Sequence, residues 1–242
     1  MEQIYTIPVN EAFEECMRGD ICACPLCRIH NKLESDEVER ILGPAMMEPD
    51  TRIETNKKGF CKDHFEMLLK GKNKLSLALM LESHLDEIIK NTKDGAFSGI
   101  IGGKGKNTAR VATELEDSCY VCDRIEPHFK RMIETVVLLF TQDPKFAEKL
   151  TKQEYFCLPH YTRLVEYARL RLDKKAFSQF YKAISTIETA YLEELKNDVS
   201  WFTKKYDYRY ENEPWYNSKD AVERAISLLS AKIEHVPERK NK

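Results

Sequence analysis

The fold class predicted is all-α: two pseudo-repeated helical halves, each clamped by a Cys3His metal site, followed by a long helix and a final helix. Three observations predict it. Apolar residues recur at helical spacing along most of the chain, and no stretch alternates as a strand or hairpin would. The arrangement CxxC…CxxH also occurs twice, first as Cys24, Cys27, Cys61 and His64, then as Cys119, Cys122, Cys157 and His160.

In chain order, Asn10 is placed to cap a helix to about Met17, ended by Gly19. From Arg28 to Leu42 the residues Ile29, Leu33, Val38, Ile41 and Leu42 follow a helical period, and Gly43-Pro44 stops it. Pro49-Asp50 begins a short helix that Lys58-Gly59 ends. Cys61 and His64 then lie three apart in the first turn of another helix, on one face, where both can reach one ion. Gly71 breaks that helix, and Asn73 caps the next, Lys74 to Lys90, whose leucine-rich run Leu75 to Leu81 predicts burial.

Five glycines between Gly95 and Gly105 mark a linker, which divides the chain into 1–94, 95–107 and 108–242. The stretch GIIGGKGKN fails as a phosphate loop, because neither Lys104 nor Lys106 is followed by Ser or Thr. The second half repeats the plan with helices from Thr108, from about Asp123 to Phe140, from Asp143-Pro144 and from Cys157. Lys174 to about Lys205 reads as one long helix with Phe177, Phe180, Tyr181, Ile184, Ile187, Tyr191, Leu192 and Leu195 on its apolar side. After Pro214, Asn217 or Ser218 caps a last helix to about His235.

The repeat separates shared residues from incidental ones. Placing Cys27 on Cys122 puts Val38 on Ile133, Ile41 on Val136, Leu42 on Val137 and Pro49 on Pro144. A one-residue insertion then puts Phe60 on Phe156, Cys61 on Cys157, His64 on His160, Phe65 on Tyr161, Leu68 on Leu164 and Leu69 on Val165. Cys16, Cys22, His30, His84, His128 and His235 have no counterpart of their kind, which favours packing or surface roles. Cys22 stays open as an extra thiolate beside Cys24, and His84 as a site residue.

Three thiolates and an imidazole in such pairs suit a closed tetrahedral zinc site, so two zinc ions are the expected cofactors. Iron or an iron–sulfur cluster is the alternative. A thioredoxin motif lacks its preceding strand, and haem attachment needs histidine where Arg28 and Asp123 stand. A RING-type cross-brace lacks a cysteine soon after His64. Asp63 could serve as a general base at a catalytic metal, but Pro159 replaces it in the second copy, so it reads as a solvated acid.

Composition narrows the partners. Hydrophobic residues make up 42% and charged residues 32%, well outside the range of disordered chains. Lys plus Arg total 38 against 40 Asp plus Glu, so no global positive field recruits nucleic acid. No run approaches 18 apolar residues and no basic-then-apolar leader is present, which predicts a cytoplasmic protein without a membrane partner. In a reducing compartment grouped cysteines serve as ligands or redox centres rather than disulfides.

The motifs CPLC at 24–27, GFCKDHF at 59–65 and LSLALMLESHLDEI at 75–88, with the degenerate second copy, resemble an uncharacterised bacterial family of unknown function found mostly in anaerobic Gram-positives. The resemblance covers nearly the whole chain. It implies an all-helical protein with paired cysteine and histidine motifs, and brings no activity with it. The second copy departs in having Tyr120 where Pro25 stands and Tyr155 where Gly59 stands.

The functional expectation is a non-enzymatic interaction or scaffold module with an unidentified protein partner. A metal-dependent redox protein or sensor using Cys22 is the second reading. An enzyme with a pocket between the halves, lined by Arg52, Glu54, His84, Trp201, Tyr208 and Trp215, is the third.

Overall fold

The computed structural model describes residues 3–18, 24–98 and 106–231. Eleven α-helices and no strand occur among them. They are α1 (Thr6–Arg18), α2 (Pro25–Leu42), α3 (Pro49–Lys58), α4 (Lys62–Lys70), α5 (Lys74–Ser98), α6 (Lys106–Glu116), α7 (Tyr120–Gln142), α8 (Pro144–Thr151), α9 (Leu158–Arg171), α10 (Lys174–Lys204) and α11 (Ala221–Ser230). The all-α expectation holds. Cys22, most of the glycine-rich stretch and His235 lie outside the described residues.

Most helix boundaries follow local chemistry. Pro49 and Pro144 occupy the first turns of α3 and α8, where a missing N–H costs nothing. Asp143 and Asp173 cap α8 and α10 through their carboxylates, and Asn73 accepts from Ser76 N at the start of α5. Several expectations change. The last helix begins at Ala221 after Asp220 rather than at Asn217 or Ser218, and α5 runs to Ser98, into the expected linker. α1 begins at Thr6, not Asn10: Pro8 is tolerated in the first turn, and the Asn10 amide donates back to Thr6 O. The run Leu75 to Leu81 is buried only along one stripe, with Leu77 and Met80 inside and Leu75 exposed, as the 3.6-residue period of one packed face requires.

The helices form two compact units, Met1–His30 with Phe129–Lys242, and Asn31–His128. These units do not coincide with the expected 1–94 and 108–242 division. The chain passes from one unit to the other inside α2 and inside α7. In unit one, α1 packs on α8, and α9, α10 and α11 pack on one another. Its core includes Phe13 against Phe146 at 4.9 Å between ring centroids, and Phe140 edge-on to Phe180 at 5.1 Å. In unit two, α5 packs against α3, α4 and α6. Its core gathers Val38, Ile41, Leu42, Met46, Phe60, Leu68, Leu77, Met80, Tyr120, Val121 and Ile125.

The repeat register is also a burial register. Val38 and Ile133, Ile41 and Val136, Leu42 and Val137, Phe60 and Phe156, and Leu68 and Leu164 are all core residues. Each unit therefore rebuilds one apolar nest, and the metal-ligand candidates sit against it.

Candidate metal centres

Four ligand pairs stand at four helix starts, in one geometry. Cys24, Cys61, Cys119 and Cys157 each immediately precede the first residue of α2, α4, α7 and α9. Cys27, His64, Cys122 and His160 each occupy the third position of the same helices. One turn of helix thus points both members of a pair to one spot beyond the N-terminus. That end carries unpaired N–H groups and the positive end of the helix dipole, which favours thiolate over thiol.

Site one brings together Cys24, Cys27, Cys157 and His160, all buried. Cys27 Sγ lies 3.5 Å from Cys157 Sγ and 3.3 Å from His160 Nδ1, and Cys24 Sγ lies 3.7 Å from each of the same two atoms. Site two brings together Cys61, His64, Cys119 and Cys122. Its His64 Nδ1 lies 3.1, 3.3 and 3.5 Å from the sulfurs of Cys61, Cys119 and Cys122. Cys61 and Cys122 are 4.0 Å apart. Tetrahedral zinc at about 2.3 Å from sulfur and about 2.05 Å from nitrogen sets S···S near about 3.8 Å and S···N near about 3.6 Å. Both constellations have this size. A disulfide would hold two sulfurs at about 2.05 Å, so none of these pairs is oxidised.

The eight residues singled out by the repeat therefore all fall into two groups that could hold a metal ion, but their grouping is corrected. Cys24 and Cys27 do not meet Cys61 and His64, nor do Cys119 and Cys122 meet Cys157 and His160. Each site takes its CxxC from one repeat and its CxxH from the other. The reason lies in the 18 residues of α2. It starts with Cys24 in unit one and ends at Leu42 in unit two, so the CxxH next met along the chain belongs to the second unit. α7 makes the return journey.

Local contacts hold site two. Tyr120 N donates to Gly59 O at 3.0 Å and Ser118 Oγ donates to Lys58 O at 2.6 Å, which ties the CxxC segment to the CxxH segment. The Tyr120 hydroxyl accepts from Arg40 at 2.7 Å, and Arg40 also forks onto Glu37. Tyr in place of Pro thus supplies an N–H and an anchor that Pro25 lacks. Gly59 is needed too. Its φ is +60°, and a Cβ there would lie 2.9 Å from His84 Nε2. Gly59→Ala is expected to destabilise unit two by about 2 kcal/mol or more, read as a lower denaturation midpoint with an unchanged slope.

The field at site two is set by its sulfurs. Burial works against a charged His64, but the hydrogen-bonded Cys119 sulfur and the nearby Glu34 carboxylate outweigh it and push the imidazolium up to about 10. Glu34 Oε1 lies 3.3 Å from His64 Nε2, on the far side of the ring from the sulfurs. Cys119 is drawn well below the usual thiol range by the hydrogen bond from Cys122 and by His64, against burial, while the same bond to Cys119, with burial, drives Cys122 up. A ligand nitrogen facing the ion with a carboxylate behind it is the usual outer support of a metal-bound histidine.

Site one is supported differently. The His160 ring packs edge-on to Phe129 at 5.2 Å, and the Arg163 guanidinium lies 4.7 Å above the same phenyl ring. Phe156 N donates to Glu188 Oε2 at 3.3 Å, which fixes the backbone just before Cys157. Glu188 escaped the sequence reading because a glutamate on a long surface-patterned helix carries no ligand signature; only its position inside the apolar stripe of α10 marks it. The side chain is 3% exposed, and Oε1 has no partner among the described residues.

Burial, opposed by the Phe156 N–H and aided by the Cys24 sulfur, raises the Glu188 carboxyl to about 7. A raised acid means that the folded state binds more protons than the unfolded state between pH 4.5 and 7. The cost of ionising it is absent below that window and complete above it. Glu188→Gln is accordingly expected to gain about 3 kcal/mol over the native chain between pH 4.5 and pH 8. Denaturant titrations of the two metal-loaded proteins at both ends of that range check this.

The remaining candidates fall elsewhere. Cys16 is half-buried on α1 and belongs to neither group. His84 donates from Nδ1 to Asn56 O at 2.7 Å, and lines a cavity of about 640 Å³ with Gly59, Phe60, Cys61, Phe65 and Leu115. Arg52 bonds Leu79 O and Ser83 Oγ, joining α3 to α5. Of the expected enzyme pocket, Arg52, Glu54 and His84 belong to unit two, and Trp201, Tyr208 and Trp215 to unit one.

Fold and site together define an all-helical protein with two Cys3His groups able to hold metal. Over residues 1–236 the chain matches the family of unknown function DUF6062, and it belongs to that family. Comparison with curated proteins and with solved structures gave no significant match. No helix among the described residues is long and apolar enough to cross a membrane.

Proposed function

We propose that this protein is a cytoplasmic zinc-dependent scaffold, in which one Zn²⁺ in each unit joins two helix starts and the assembled helices present a surface to a protein partner. The observation that carries the reading is the completeness of each ligand set. Four donor atoms at tetrahedral separations leave no position for water or substrate, as in structural rather than catalytic zinc sites. Three soft sulfurs with one imidazole favour zinc over magnesium or calcium.

The partner reading draws support from the segment after α10, where Tyr206, Tyr208 and Tyr216 are exposed. Tyrosine is enriched at protein interfaces because it offers apolar area with a polar tip. A formal charge of −2 gives no comparable support to nucleic acid.

Elemental analysis of protein purified anaerobically tests the reading. Two equivalents of zinc and a colourless solution are expected. A brown protein with iron and visible absorption would replace zinc with a cluster, and a metal-free one would end the proposal.

A further inference from the structure

The two sites share ligands, helix positions and repeat register, yet differ in access. In site one Cys27 and Cys157 are 2% and 1% exposed. Their counterparts in site two are Cys122, which is exposed, and Cys61, which is half-buried. Site one is roofed: the Ala231 carbonyl at the end of α11 lies 4.0 Å from Cys27 Sγ, and Glu188 of α10 holds the backbone before Cys157. Site two has Cys122 open to solvent, and Cys61 borders the 640 Å³ cavity beside α4. The two accessible sulfurs are 4.0 Å apart, one from each ligand pair.

We propose that site two is a peroxide-reactive dithiol centre, in which Cys122 and Cys61 are oxidised to a disulfide and the metal is released, while site one is a permanent structural site. The inference rests on the metal reading above. Metal binding keeps both sulfurs as thiolates, the nucleophilic form. The Cys122 thiolate attacks one oxygen of hydrogen peroxide; the S–O bond forms, the O–O bond breaks, and the departing hydroxide takes a proton to become water. The Cys61 thiolate then attacks the sulfenic sulfur; the S–S bond forms, the S–O bond breaks, and a second hydroxide leaves as water with a second proton. Two thiolates lose two electrons in all, and one peroxide becomes two waters. Cys119 and His64 alone cannot retain the ion. The sulfurs must close from 4.0 Å to about 2.05 Å, a movement that loss of the metal between them permits. A thiol reductant reverses the change, and the metal can rebind.

The test uses the full chain with its metal content measured first. One equivalent of hydrogen peroxide is added with a chromophoric zinc indicator, and the cysteines are mapped by alkylation and peptide mass. Release of one of two metal equivalents at least ten times faster than the other, a Cys61–Cys122 disulfide, and return of the metal with dithiothreitol are expected. Equal release from both sites, no release, or oxidation confined to site one would overturn the inference, as would a Cys119–Cys122 disulfide. A preparation with no metal before peroxide overturns the zinc reading itself, so the two failures are distinguishable.

Discussion

Replacing Cys24 and Cys27 by serine together with Cys157→Ser and His160→Ala is expected to remove one metal equivalent and leave one. Replacing Cys24 and Cys27 by serine together with Cys61→Ser and His64→Ala is expected to remove both. Each variant loses four ligands, so composition does not separate them; only the grouping does. The first set is one site in space drawn from two repeats, and the second is one repeat in sequence that halves two sites. A site reduced from four donors to two cannot satisfy tetrahedral zinc, and its affinity falls below what survives purification. If the fourfold variants fold poorly, the pair Cys27→Ser with Cys157→Ser against Cys27→Ser with Cys61→Ser asks a milder form of the question: the first leaves one site with four donors and the other with two, the second leaves three in each. Cobalt loading then reports the surviving sites through their thiolate charge-transfer absorption. Grouping by sequence neighbours would give the opposite pattern, one equivalent retained in the second set and none in the first.

Removing both metals with a chelator under reducing conditions is expected to abolish cooperative thermal unfolding. Structural zinc contributes about 10–16 kcal/mol in isolated peptides, and whole domains are stable by about 5–15 kcal/mol. Even a part of the first figure is comparable with all of the second. The ligands also close long loops. In site one the paired residues are 133 apart in the chain, and in site two less than half as far, at 55. Without metal the chain must bring those helix starts together by apolar packing alone, against loop-closure entropy and the repulsion of clustered thiolates. Helical signal is expected to persist in part while the calorimetric transition broadens, and zinc addition is expected to restore it. A sharp transition in the chelated protein would show that the cores suffice.

Particular residues explain what could be read in advance. The i, i+3 spacing of Cys61 and His64 forces both onto one helix face whatever the tertiary arrangement, so all four pairs were legible. Pro49, Asp143 and Gly71 act within their own turn, and the helix boundaries they set follow directly. Asn10 misled because its capping chemistry competes with an earlier start at Thr6 that tolerates Pro8. Glu188 was silent because its role depends on which backbone N–H happens to face it, a fact of packing between α10 and the Phe156 segment.

By itself the sequence determined the helical class, the eight candidate ligands and the two apolar nests that repeat around them, since each depends on spacings within a few turns of one helix. Only the tertiary structure decided which pairs converge into one group, that one group is roofed and the other open, and that the compact units cut across the repeats. The physical reason lies in α2 and α7. A helix keeps its local pattern whether it returns or leaves, and these two carry the chain out of one unit and into the other, so sequence neighbours end in different sites.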